Sequence, residues 1–487
     1  MKKFESLIIG SGFSGIGLAI KLKQADRHDF VILEKADSVA GVWRDNSYPG
    51  AACDVPSHLY SFSFEPNPNW SRRYSPQSEI KNYLENCVVK HQLKKHIEFK
   101  HEVVSAKFDQ DKGVWDVITK CGTQYQATYL IPAMGQLSLP AIPSIDGLEN
   151  FKGDSFHTVH WPDDYDFTDK SVAMIGTGAS AIQLVPEIVK EAKQVHLLQR
   201  TAPYILYKSD KEYSPSQIKR FNRWPWLLKL SRLSVYLIHE FRSIAFGGQQ
   251  WMRKLPQLQW KMQMQKIIKD PALRKKLTPN YQIACKRVLI SDNYYAALNL
   301  PNVRLSTETI DTLSNDGINT SDGESIKVDT IIYATGFRTE DFLAPLNIQG
   351  LGNKDLNQSW RDGAEAYLGM AISGFPNMLM MYGPNTNSGH NSIIYTLEGQ
   401  MDYILQYMNS KEKSAADYLD VKATSQKNFN SKIQKKLKST VWNTGGCNSW
   451  YLTKEGKNTS NWPGFSFLYR KAVKKFNLSD YDAKKSK

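Results

Sequence analysis

The chain is 487 residues long, 41% hydrophobic and 23% charged, with a formal net charge of +14. Its length allows two or three domains with proper cores, and its composition excludes disordered, fibrous and membrane-embedded classes. The basic residues are dispersed apart from clusters such as Lys474-Lys475 and the tail Lys484-Lys485-Ser486-Lys487, and no nucleic-acid motif accompanies them, so the surplus reads as a solvated basic surface with no nucleic-acid partner.

From the N-terminus, Met1-Lys2-Lys3 runs straight into the apolar stretch Leu7-Ile8-Ile9, which predicts that no signal peptide precedes the fold. The strand feeds Gly10-Ser11-Gly12-Phe13-Ser14-Gly15, a glycine turn that opens a helix. Gly10, Gly12 and Gly15 let backbone approach a pyrophosphate, which sits on the unpaired N–H groups of the helix start, beside Ser14. Glu34 follows the next predicted strand, twenty-four residues past Gly10. A carboxylate there accepts hydrogen bonds from a free ribose 2′-OH, and the site is predicted to take FAD.

Residues 103–108 and 114–118 alternate as a hairpin does, and residues 129–135 predict a strand ending in a small-residue turn. A linker with Pro140 and Pro143 leads to a second apolar strand and a second fingerprint, Gly176-Thr177-Gly178-Ala179-Ser180-Ala181. Its reader residue, again twenty-four positions on, is Arg200. A guanidinium suits a 2′-phosphate, so this site is predicted to take NADP, with NADPH as electron donor. The strand end repeats at residues 331–337, so the chain is expected to cross between domains twice.

The predicted fold class is α/β with two Rossmann-like dinucleotide-binding domains. An FAD domain spans 1–141 and 339–487, and an NADP domain spans 142–338. Residues 205–285 form a helical insertion in the NADP domain. One buried face satisfies its apolar positions, so its helices are expected to pack over the domain and wall a substrate pocket rather than rest on a membrane. Trp224, Trp226, Tyr236 and Phe241 in it point to a bulky or apolar substrate. No run is long enough to span a bilayer. After Gly383-Pro384-Asn385-Thr386 a helix is predicted from about Ser392. The five cysteines are odd in number and scattered, without Cys-x-x-Cys, which predicts neither a disulfide framework nor a zinc site and fits a reducing cytoplasm.

Two further patterns narrow the class: Phe151-x-Gly153-x-x-x-His157-x-x-x-Trp161-Pro162, and upstream Ala40-Gly41-x-Trp43-x-x-x-x-Tyr48-Pro49-Gly50-x-x-x-Asp54. With them the chain resembles the Baeyer–Villiger monooxygenases, class B flavoprotein monooxygenases related to the flavin-containing monooxygenases. The resemblance runs from Gly10 to Ser449-Trp450-Tyr451. It implies that NADPH reduces FAD, that the reduced flavin and O2 give a C4a-peroxyflavin, and that this anion attacks a ketone to yield an ester or lactone, with sulfides as side substrates.

The resemblance also assigns roles. In Cys285-Lys286-Arg287 the essential cation is Arg287, a group that keeps its proton at neutral pH, and Asp54 orients it. Lys286 joins Arg200 and Thr201 on the 2′-phosphate, with Ala181 closing the second fingerprint. Trp43 and Tyr60 lie beside the flavin, Val103 offers backbone to the adenine, and Trp450 packs on the nicotinamide ribose. His157 is a linker residue coupling NADP binding to domain rotation. An N- or S-oxygenating monooxygenase needs no such cation, and a disulfide-type reductase needs a cysteine pair that the sequence lacks. A flavin redox sensor is disfavoured by the intact fingerprints and Arg287. The expected enzyme is a monomer or small homo-oligomer acting on small molecules and O2, without metal or integral membrane segment.

Overall fold

The structure, a computed structural model, describes residues 1–247, 250–343 and 345–486, so Lys487 of the basic tail lies outside it. Near-continuous apolar runs of four or five residues become fully buried parallel strands, as covering both faces of a sheet requires. Strands β1 (Lys2–Ile9), β2 (Phe30–Leu33), β3 (Ile97–Glu98), β4 (Val103–Asp109), β5 (Val114–Thr119) and β6 (Gln124–Pro132) build one sheet. A second holds β7 (Asp154–His157), β8 (Ser171–Ile175), β9 (Gln194–Leu198), β10 (Val303–Ser306) and β11 (Thr330–Tyr333). A late strand, β12 (Asn347–Gln349), returns to the first sheet, whose order is β12-β4-β5-β6-β1-β2-β3. The second sheet, β10-β9-β8-β11-β7, is parallel throughout.

The two sheets share one local plan. Each fingerprint follows a central strand, β1 or β8. The neighbour on one side, β2 or β9, precedes Glu34 or Arg200, and the neighbour on the other, β6 or β11, ends near Ala133 or Ala334. The expected hairpin is β4–β5, antiparallel within the first sheet. The chain passes between sheets along two segments that lie side by side. Pro140 bridges Phe337, the Ala141 N–H donates to Gly336 O (2.9 Å) and the Arg338 N–H donates to Leu139 O (2.9 Å).

Helix α1 (Phe13–Gln24) follows the first fingerprint and α2 (Ala179–Ile188) the second. The insertion supplies α3 (Pro215–Arg223), α4 (Pro225–Arg242) and α5 (Gln250–Ile267). The helix expected near Ser392 is α6 (Ile393–Lys413), with Ser392 at its N-cap. It packs across α1 at Gly17, where a Cβ would strike Met401 and Phe62.

The insertion departs from expectation. On α4, Trp226, Leu230, Leu233, Leu237 and Phe241 all stand more than half exposed. The side turned inward mixes apolar Leu228 with polar and charged residues. Arg232 donates from Nη1 to the carbonyls of His58 (3.0 Å) and Ser61 (2.8 Å), and buried Glu240 accepts from Ser466 Oγ (2.6 Å) and Asn391 Nδ2 (2.8 Å). Buried charges demand partners, and these partners hold α4 with its apolar stripe outward. Of the aromatics expected to wall a pocket, only Tyr236 turns in, against Tyr395 with ring centroids 4.8 Å apart. The cysteines also depart from expectation, for Cys285 and Cys447 are joined in a disulfide.

Candidate active site

The glycine turns are built alike. Gly10 and Gly176 have φ of +103° and +110°, a region open chiefly to glycine, and a Cβ on either would press on the backbone of Ala133 or Ala334. Gly15 packs on Gly10 so closely that a Cβ would meet its carbonyl oxygen, whereas Ala181, fully buried, holds the matching place in the second motif. Helices α1 and α2 start from Gly12 and Gly178 with no side-chain cap, which leaves first-turn N–H groups open for an anion. A Cβ on Gly178 would meet nothing within 4 Å, so space lies before the second turn. Ser14 sits buried in the first turn of α1.

Each reader residue is held differently. Glu34 is 4% exposed, and its carboxylate accepts from Ser11 N (2.9 Å), Ser11 Oγ (2.7 Å), Ala36 N (3.0 Å) and Arg44 Nη1 (3.2 Å). Its orientation is thus fixed by Ser11 and Arg44, which carry no fingerprint signal of their own. Arg200 is exposed, and beside it burial and the Arg200 charge push the Lys286 ammonium below its ordinary value. Lys286 Nζ lies 5.1 Å above the Tyr281 ring. Two cations that repel each other in one place form a donor set suited to a dianion such as a 2′-phosphate. Thr201 joins the turn through its carbonyl, which accepts from Thr177 Oγ1 (3.2 Å).

Two residues 233 apart in sequence meet in an ion pair. Arg287 donates from Nε to Asp54 Oδ2 (2.7 Å) and from Nη2 to Oδ1 (2.8 Å), a bidentate pair. Their side chains remain 33% and 29% exposed, and Arg287 Nη1 takes no hydrogen-bond partner among the described residues. The Asp54 charge raises the guanidinium further above its ordinary value, so it stays a cation at any working pH. Tyr382 and Tyr451 lie within its field, each pushed up to about 12 by burial although Arg287 opposes the shift. Tyr382 has φ of +57°, backbone strain of the kind that collects at functional sites. Tyr451 stands in the block Ser449-Trp450-Tyr451 without a role assigned to it, and Tyr382 is marked by no motif.

The remaining residues fall into place unevenly. Trp43 donates from Nε1 to Tyr60 Oη (3.1 Å), and Tyr60 senses the charge of Asp54, so these two join the cluster. Val103 stands apart from it, buried at the start of β4 beside a bulge between Val103 and Ser105. Trp450 is 37% exposed and leans on Tyr451 with centroids 4.3 Å apart. His157 lies not in the linker but at the end of β7, paired with Tyr333 of β11. Its Nε2 donates to Gly336 O (3.0 Å) while Nδ1 accepts from Val159 N (3.2 Å), and burial lowers its basicity, so it is a neutral imidazole tied to the crossover. The disulfide staples the Lys286-Arg287 turn to the loop that leads to Trp450.

The family model described as flavin-binding monooxygenase-like matches residues 2–346. A Baeyer–Villiger monooxygenase of Pseudomonas aeruginosa is 44% identical over 97% of this chain and 90% of its own length. A FAD-binding monooxygenase of Aspergillus niger is 38% identical over 99% of this chain and 82% of its own. Among solved structures, an oxidised steroid monooxygenase bound to NADP superposes with a TM-score of 0.88 at 28% identity, covering 99% of this chain and all of the other.

Proposed function

This chain belongs to the flavin-binding monooxygenase-like family and, within it, to the Baeyer–Villiger monooxygenases, and from that premise we propose that it inserts one oxygen atom beside a ketone carbonyl to give an ester or lactone, oxidising sulfides as a side activity. The enzyme is an FAD- and NADPH-dependent monooxygenase. The observation that supports the oxygen insertion most directly is the bidentate pair of Arg287 and Asp54 with one guanidinium end left free.

The residues present fit both cofactors. The uncapped turn at Gly10, Gly12 and Gly15 and the oriented Glu34 carboxylate suit the pyrophosphate and ribose of FAD. The open turn at Gly176 and Gly178, with Arg200 and Lys286, suits NADP. When bound, these groups supply hydride transfer and activation of O2 as an oxygen donor toward a carbonyl or sulfide.

What the protein contributes is electrostatic and geometric. Arg287 offers a permanent positive charge to an oxyanion and cannot quench it by giving up its proton. Asp54 holds Nε and Nη2, which aims Nη1 and moderates the field. Tyr451 and Tyr382 flank that cation, and Tyr60, in contact with Trp43, lies near Asp54. Trp450, beside Tyr451, is placed to meet a nicotinamide ribose.

Arg287→Ala tests this reading. Flavin reduction by NADPH, followed by stopped-flow absorbance, is expected within about tenfold of the parent. Ester formation from a panel of cyclic and aromatic ketones, followed by gas chromatography, is expected to fall by at least about a thousandfold, the scale of a lost oxyanion partner. Persistent ester would remove Arg287 from the reaction.

A further inference from the structure

The two long insertion helices bury apolar residues such as Leu228, Trp260 and Met264 on one side, yet each also carries a row of large apolar residues in water. On α4 the exposed apolar residues include Trp226, Leu230, Leu233, Leu237 and Phe241, at helical spacing along one stripe, with Ile238 exposed beside it. On α5, Leu255, Leu258 and Met262 repeat the pattern at 74%, 53% and 58% exposure. Monomers seldom show water so many large apolar side chains in helical rows without a use for them. The stripe cannot simply roll inward, because Arg232 and Glu240 of α4 are held by the 58–61 turn and by Asn391 and Ser466.

The charge around the stripe says what covers it. Residues 213–269 contain eleven Lys and Arg and a single carboxylate, Glu240, which is buried and faces inward. Lys229, Lys254 and Lys261 are exposed among the apolar residues, and Lys219, Arg220 and Arg223 are exposed on α3. Arg223 lies 5.3 Å over the ring of Trp224, next to Trp226, a pairing of cation and indole that suits a bilayer's headgroup level. Between α3 and α4 runs an open groove of about 590 Å3, with Arg220 among the residues that line it and Phe221, Leu227 and Leu230 on its walls. A second copy of the chain would set lysine against lysine across the contact, whereas an anionic lipid surface neutralises them while taking up the apolar stripe. Among the described residues no helix is long and apolar enough to cross a membrane.

We propose that the face formed by α3, α4 and α5 seats the enzyme on an anionic lipid surface, with the α4 and α5 stripes dipped into the headgroup boundary and the flanking Lys and Arg on the lipid phosphates. The inference rests on the geometry of the insertion and holds whichever substrate the enzyme oxidises.

The test is flotation of the full FAD-loaded chain with vesicles of phosphatidylcholine, with or without about one-third phosphatidylglycerol. The parent is expected to float with the anionic vesicles, to stay behind with neutral ones, and to be released by about 0.5 M salt. The pair Leu237→Asp and Leu258→Asp is expected to abolish flotation while NADPH oxidation stays within about twofold, which shows that the fold persists. Reversal of Lys229, Lys254 and Lys261 to Glu is expected to lower binding by at least about 100-fold. A parent that fails to float on anionic vesicles overturns the proposal. So does a dimer, seen by light scattering, that the Asp pair dissociates, for then a second copy covers the face.

Discussion

At the scale of single residues, the two nucleotide turns differ chiefly in what reads the ribose. Glu34 is enclosed by four donors, whereas Arg200 stands in solvent next to Lys286, with no carboxylate paired to either among the described residues. Relief of that repulsion by a 2′-phosphate would give a physical basis for a preference for NADPH. Arg200→Ala is expected to raise KM for NADPH by about 10- to 100-fold, the worth of one charge-assisted bond, and to leave KM for NADH within about threefold. Steady-state kinetics with the two coenzymes checks it, and an unchanged preference would take Arg200 off the phosphate. The fingerprint and reader residues were legible because a tight turn and a following strand fix them locally. Arg44 and Tyr382 were not, nor were the roles of Ser11 and Tyr451, since these depend on contacts that only the folded chain creates.

At the scale of elements, strand Tyr418–Val421 carries a second buried charge, and it titrates near neutrality. Asp420 is 9% exposed, and burial raises its carboxyl to about 6 even though the Gly374 N–H donates to it. A carboxyl raised in the folded state favours folding when protonated. Its contribution is therefore best below the unfolded value near 3.8, declines as pH rises, and is flat above about 6. Asp420→Asn is expected to become more stable than the parent across that window, by about 2 kcal/mol at pH 7, as read from urea denaturation at stepped pH. A difference that does not change with pH would show that Asp420 stays ionised. The elements themselves were mostly legible: the apolar runs before Gly10 and Gly176, the 103–118 hairpin and the helix after Ser392 all form. The orientation of α4 was not, because periodicity reveals an apolar stripe but cannot say which side of the helix the rest of the molecule will face. Arg232 and Glu240 decide that through partners more than a hundred residues away.

At the scale of the whole molecule, the two sheets are joined by paired segments near Pro140 and Phe337, and His157 donates to Gly336 within that pair. His157→Ala removes a tie between the second sheet and the crossover without touching the Arg287 cluster. NADPH oxidation is expected to stay within about fivefold, while a larger share of the electrons appears as H2O2 rather than ester, measured with a peroxide assay alongside chromatography. Unaltered coupling would make His157 a packing residue only. The bond between Cys285 and Cys447 bears on the same scale, for it turns the 162-residue span between them into a closed covalent ring threaded through both sheets. A protease that cuts once inside that ring linearises it but sets nothing free. Such a nicked chain is expected to migrate as one species on a denaturing gel run without thiol and to separate into two fragments once reductant is added.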